Sequence, residues 1–195
     1  MPSLFSGMYD WVLKLARHRH AERYLIGVTI AEAVIFPIPP DVMLAPMVLA
    51  ERRRAWRLAL KTTVASVAGG LIGYLLGWLA LELILPWIER AGYLPAYEQA
   101  VDAFRRFGVW FVILAGFSPI PFKVITVAAG ALGMPLPAFI LGSVIGRGSR
   151  FFLVAAIIYS GGERAAERLR DWVDLLGWMA VIGTALALLV WWFWF

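Results

Sequence analysis

The sequence predicts an all-α integral membrane protein. Its expected plan is an inverted repeat of two re-entrant helical hairpins, each followed by a transmembrane helix, with a C-terminal transmembrane helix and an N-terminal amphipathic helix. Three observations lead there. The 195 residues are 62% hydrophobic, well above the roughly 45–50% apolar content of an ordinary globular chain. Apolar runs at 24–50, 62–88, 107–146 and 175–195 nearly fill a length that suits one domain, leaving no stretch for a soluble catalytic one. Finally, a proline knot, "PIPPD" at 37–41, returns as "PIPFK" at 119–123.

Each element follows from length, charge and helix-breaking residues. In residues 4–20, Leu4, Phe5, Met8, Trp11, Val12 and Leu15 recur at helical spacing among Asp10, Lys14 and Arg17. This stretch reads as an amphipathic helix on the bilayer surface and not as a signal-peptide core. The next run, 24–50, is divided. "YLIGVTIAEAVIF" before the prolines makes roughly 20 Å of helix, short of the roughly 30 Å hydrocarbon core, and "VMLAPMVLA" after them is shorter still. Pro37, Pro39 and Pro40 withdraw backbone donors and disfavour helix in the residues before them. Lys14, Arg17, Arg19 and Arg23 precede the run, and Arg52, Arg53, Arg54, Arg57 and Lys61 follow it. Under the positive-inside rule both ends face the cytoplasm, so 24–50 reads as a re-entrant hairpin in preference to a kinked span.

Residues 62–81 then cross outward, and the segment carrying Glu82, Glu89, Glu98 and Asp102 suits an outside loop. Residues 108–133 rise, break at "SPIP" and return as a second hairpin from the opposite face. The segment 138–160 crosses inward to the charged "GGERAAERLRD", and 175–195 crosses outward with its terminal aromatics at an interface. The formal charge of +5 therefore belongs to membrane topology and not to nucleic-acid binding, because the bases lie in short tracts beside apolar runs.

The two halves match beyond the prolines. "ASVAGG" at 65–70 aligns with "GSVIGR" at 142–147 once the longer "ERRRAWR" connector is allowed for. Two hairpin-plus-span units inserted with opposite orientation form the inverted repeat of many secondary transporters. Broken helices in lipid need protein or a water-lined cavity around their open backbone. The hairpin tips, Pro37, Pro39, Pro40, Pro119 and Pro121, are therefore expected to meet inside the bundle, with half-helix N-termini favouring an anion.

The ionisable residues placed at membrane depth are Glu32, Asp41, Lys123, Arg147 and Arg150. Such charges are costly and face a cavity or a partner. Asp41 and Lys123 occupy equivalent repeat positions, which suggests a direct or substrate-bridged pair; a static ion pair pinning the hairpins is the competing reading. Glu32, an acid in an apolar arm, is the first choice for a proton-carrying carboxylate, against a shallow residue that reaches water. Arg147 and Arg150 share a helix face and can hold a phosphate together, or else snorkel to lipid headgroups. The glycine rows Gly69, Gly73, Gly77 and Gly142, Gly146 read as packing seams. His18 and His20 read as surface residues before metal ligands. With no Cys and no Ser/His/Asp set, paired-His motif or Walker loop, no catalytic residue, metal or cofactor is expected, and the chain is read as a non-enzyme.

Glu32 followed by "FPIPPD", and "GFSPIPFKVITVAAGALGMPLPAFILGSVIGRGSRFF" at 116–152, resemble the DedA family, also called the VTT or SNARE-associated Golgi protein family, and most of all its YqaA-like bacterial branch. The resemblance spans roughly residues 20–160. It implies opposed re-entrant hairpins and lipid handling: translocation of undecaprenyl phosphate or proton-dependent envelope homeostasis in bacterial relatives, and phospholipid scrambling in eukaryotic ones. The family's functional acids match Glu32 and Asp41, and its base after the second proline motif matches Lys123. Two positions depart from the pattern. Gly116 stands where many members carry Arg, and Ser143 where they carry Asn.

The resulting expectation is a transporter of an anionic phosphate lipid, a polyprenyl phosphate such as undecaprenyl phosphate or a phospholipid. Glu32 and Asp41 would exchange protons, while Lys123, Arg147 and Arg150 would hold the headgroup. A proton- or cation-coupled small-solute transporter and a non-transport scaffold are the alternatives. The partners are lipid and protons, with no nucleic acid and a homo-oligomer left open. The expected location is the bacterial inner membrane with a cytoplasmic N-terminus.

Overall fold

The computed structural model describes residues 15–16, 18–34, 39–118 and 122–162. Most of the expected 4–20 helix, the tip residues Pro37, Pro119 and Pro121, and the 175–195 span lie outside the described residues. Those described are helical, with no strand among them. In chain order the helices are α1 (Ala21–Val34), α2 (Asp41–Ala50), α3 (Ala55–Arg90, after a 3₁₀ turn at Arg52–Arg54), α4 (Leu94–Phe117), α5 (Phe122–Ala131) and α6 (Leu136–Gly162).

Helix boundaries sit where backbone chemistry requires them. Pro40, at φ −65°, caps α2 and places Asp41 in the first turn, where a carboxylate suits the positive helix end. Helix α5 stops where Gly133 takes φ +64°, with Met134 N–H donating to Ala129 O and Gly133 N–H to Gly130 O. That pattern satisfies otherwise open carbonyls, and only glycine adopts it without strain. Helix α4 ends at Ser118, whose backbone is extended before the second proline stretch. The segment expected as an outside loop is mostly helix: α3 runs to Arg90 through Pro86, and a turn at Gly92 (φ +76°) leads into α4. Leu, Ile, Trp and Ala dominate 78–88, and acids spaced along an exposed helix do not interrupt its hydrogen bonds.

Among the described residues two helices, α3 with its preceding turn (Arg52–Arg90) and α6, are long and apolar enough to cross a membrane. Helix α3, of 36 residues, extends about 54 Å. Its outer face, with Trp56, Leu60, Val64, Leu75, Leu79 and Leu83, is exposed, an apolar surface far larger than a water-facing monomer shows. The inner face is small. A Cβ at Gly69 would lie 2.7 Å from Ala33 Cβ, and one at Gly77 or Gly130 would strike the facing backbone carbonyl of Val127 or Tyr74. Gly142 and Gly146 meet α4 in the same way, at Val109 O and Ile113 O. The predicted seams thus hold α3 against α1 and α5, and α6 against α4, by close backbone approach.

The buried apolar residues form two clusters. One joins α1, α2, the start of α3 and the later half of α6 through Leu25, Met43, Leu44, Leu58, Phe151 and Ile158. The other joins α4, α5 and the start of α6 through Val112, Phe122, Ala129, Met134 and Phe139. Tyr74 of α3 ties into the second, donating its hydroxyl to Met134 O at 2.6 Å.

Candidate functional site

Arg147 projects from α6 between the two clusters and is only 3% exposed. Its guanidinium lies 5.0 Å from the Phe122 ring centroid and 4.8 Å from that of Phe151, one ring from each cluster. Nη2 donates to Glu32 Oε2 at 2.6 Å, and Nε donates to Ser66 Oγ at 2.6 Å. Two aromatic faces, a carboxylate and a hydroxyl thus replace the water that a cation would otherwise keep.

One turn further along α6, Arg150 donates through Nε and Nη2 to Asp41 Oδ2, at 3.2 and 2.6 Å, and through Nη1 to Ser118 O at 3.0 Å. Asp41 is 2% exposed, and its Oδ1 has no hydrogen-bond partner among the described residues. Each arginine therefore binds an acid of the first broken-helix unit. Arg150 also reaches the carbonyl at the break of the second. The arrangement explains Gly116, where a Cβ would lie 3.1 Å from Arg147 N and from Gly146 C. A side chain there would require the facing α6 backbone to give by a few tenths of an ångström, and Arg150 reaches that break with its guanidinium from α6.

Four of the five expected ionisable residues are thus brought together as Glu32–Arg147 and Asp41–Arg150. The partner found for Asp41 is Arg150, and the arginines turn inward instead of snorkelling to headgroups. Lys123 begins α5 beside Phe122, the ring under Arg147, and is half-buried. Pro39 and Pro40 lead directly into Asp41. His18 and His20 lie apart from this cluster. No group of acids, His or Cys able to hold a metal occurs among the described residues.

Sequence reasoning passed over Ser66, Phe122, Phe151 and the Ser118 carbonyl. Ser66 had a signal: it lies in the "ASVAGG" block that aligns with the block holding Arg147, but the block served only as a sign of the internal repeat. The aromatic faces had none, because Phe in an apolar helix is ordinary core.

A bundle with two helices long and apolar enough to cross a membrane and a buried cluster of opposite charges is the construction of a membrane protein. The family comparison agrees. A model of the VTT domain matches residues 28–160, which contain all five ionisable residues, and the chain belongs to this family, the membrane-associated DedA proteins. Two similar bacterial relatives are an uncharacterised protein of Haemophilus influenzae, 40% identical over 184 residues (94% of this chain and 96% of the relative), and an uncharacterised protein of Histophilus somni, 40% identical over 179 residues (92% and 94%). No solved structure matches the chain at a significant level.

Proposed function

We propose that the protein translocates an anionic, phosphate-headed lipid across the bacterial inner membrane, coupled to protons. The observation that carries this reading is the interlocked cluster: two arginines, buried between two broken-helix units, each held by one carboxylate. The N–H groups that bind Glu32 and Asp41 are those that bind phosphate oxygens in charge-assisted pairs. Protonation of a carboxylate releases its arginine to an incoming phosphate, and deprotonation reclaims it when the headgroup leaves. Lys123 adds a third cation to the headgroup site. The two helix–break–helix units act as re-entrant hairpins of an inverted repeat, entering from opposite faces, with the N-terminus in the cytoplasm. The chain works as a carrier and not as an enzyme. Its large exposed apolar surface suits a polyprenyl or acyl chain that stays in lipid while the headgroup passes through the protein.

The test is reconstitution in liposomes with a labelled polyprenyl phosphate and an imposed pH gradient. Transfer above that of empty vesicles is expected, rising with the gradient and lost in Glu32→Gln and Arg147→Gln. No transfer by folded protein overturns the proposal.

A further inference from the structure

A second charged site lies at the end of the bundle where α1 and α3 begin and α2 stops. A cavity of about 460 Å³ opens there, within the usual size of a ligand site. Arg19, Arg23, Arg54 and Lys61 line it against two carboxylates, Glu22 and Glu51, with His18 and His20 completing the polar wall. The carboxylates are already engaged: Glu22 binds Lys61 and, at 3.2 and 3.6 Å, Arg57 and Arg54, while Glu51 binds Arg54 at 2.7 Å. Arg19 and Arg23 form no ion pair among the described residues. His20 donates its backbone N–H to His18 Nδ1 at 3.2 Å, which leaves Nε2 as the ring nitrogen able to donate outward. The rest of the wall is apolar, with Ile26, Met47 and Leu58.

We infer that this cavity binds a phosphate group, held by Arg19 and Arg23 with His18 beside them. The Glu22 network acts as the rigid wall behind it. The apolar side fits a phosphate that carries a lipid tail, so a headgroup at the membrane surface is the occupant the lining favours; inorganic phosphate shares the same polar chemistry. The site is separate from the Glu32–Arg147 cluster and does not depend on transport.

The test measures binding to the full chain in neutral detergent. Dioleoyl phosphatidic acid is counted as bound adducts by native mass spectrometry, and inorganic phosphate is followed by shift of the melting temperature. Arg19→Gln/Arg23→Gln is expected to weaken phosphatidic acid binding about tenfold or more, the loss for one to two charge-assisted bonds. Arg19→Lys/Arg23→Lys retains most of it. A lipid occupant gives adducts without a phosphate shift. A free-phosphate occupant gives a shift that disappears in the Gln variant. Phosphatidic acid binding equal in wild type and the Gln variant, with no phosphate shift, overturns the inference. Single Arg23→Gln, at an exposed side chain, supplies the same comparison should the double variant fold poorly.

Discussion

At the scale of single residues, the decisive property is which acid meets which base. Arg147 is buried deeply enough that removing its partner Glu32 leaves an uncompensated charge, which costs about 3–5 kcal/mol. Glu32→Ala should therefore lower the denaturation midpoint sharply, whereas Glu32→Leu combined with Arg147→Met should restore much of the loss. A double-mutant cycle on these positions gives the coupling directly, and additive effects would deny it. Glu22 lies outside the membrane run, and its carboxyl is held below its ordinary 4.5, first by the hydrogen bond from Lys61 and then by the charges of Lys61, Arg57 and Arg54, against a smaller opposing effect of burial. A depressed folded value means that its contribution is present above about pH 4.5 and is lost as the pH falls through that lower folded value. Melting curves from pH 7 down to 3 should show this loss, and Glu22→Gln should remove that part of the slope.

At the scale of elements, the seams carry the packing. Gly130 faces the backbone of Tyr74 and Trp78, so Gly130→Ala forces α3 and α5 apart and should cost about 1–3 kcal/mol. At Gly27, on an exposed helix face, an added Cβ would meet nothing within 4 Å, so Gly27→Ala should be neutral or stabilise by about 0.5–1 kcal/mol through helix propensity. Comparing the two by thermal melting in one detergent separates steric contact from the general effect of replacing glycine. The seams were legible in the sequence because four-residue spacing is a property of one helix. The length of α3 was not: charges at Glu82, Glu89 and Arg90 resembled a loop, but the helix continues through them with all three side chains exposed.

At the scale of the whole molecule, the absence of cysteine allows topology to be read with single introduced thiols. Cysteines placed at Arg19 and Arg53, either side of the first broken-helix unit, should react with an impermeant maleimide from the same face, and one at Gly92 from the other. Labelling of 19 and 53 from opposite faces would make the first unit a kinked span. The composition, the apolar runs and the repeated prolines determined by themselves a helical, membrane-type chain with helix-breaking residues before Asp41 and after Ser118, and with Glu32, Asp41, Lys123, Arg147 and Arg150 as its costly charges; of the three spans they predict, two match long apolar helices among the described residues and 175–195 lies outside them. These are local properties, written in spacing and hydropathy. Only the tertiary structure decided the pairing. Repeat equivalence favoured Asp41 with Lys123, but Arg150 reaches Asp41 because α6 packs against both broken units, and Arg147 meets Glu32 because small residues let α1, α3 and α6 close around it. Which charges meet depends on how helices cross, a relation between distant segments that no spacing along one chain contains.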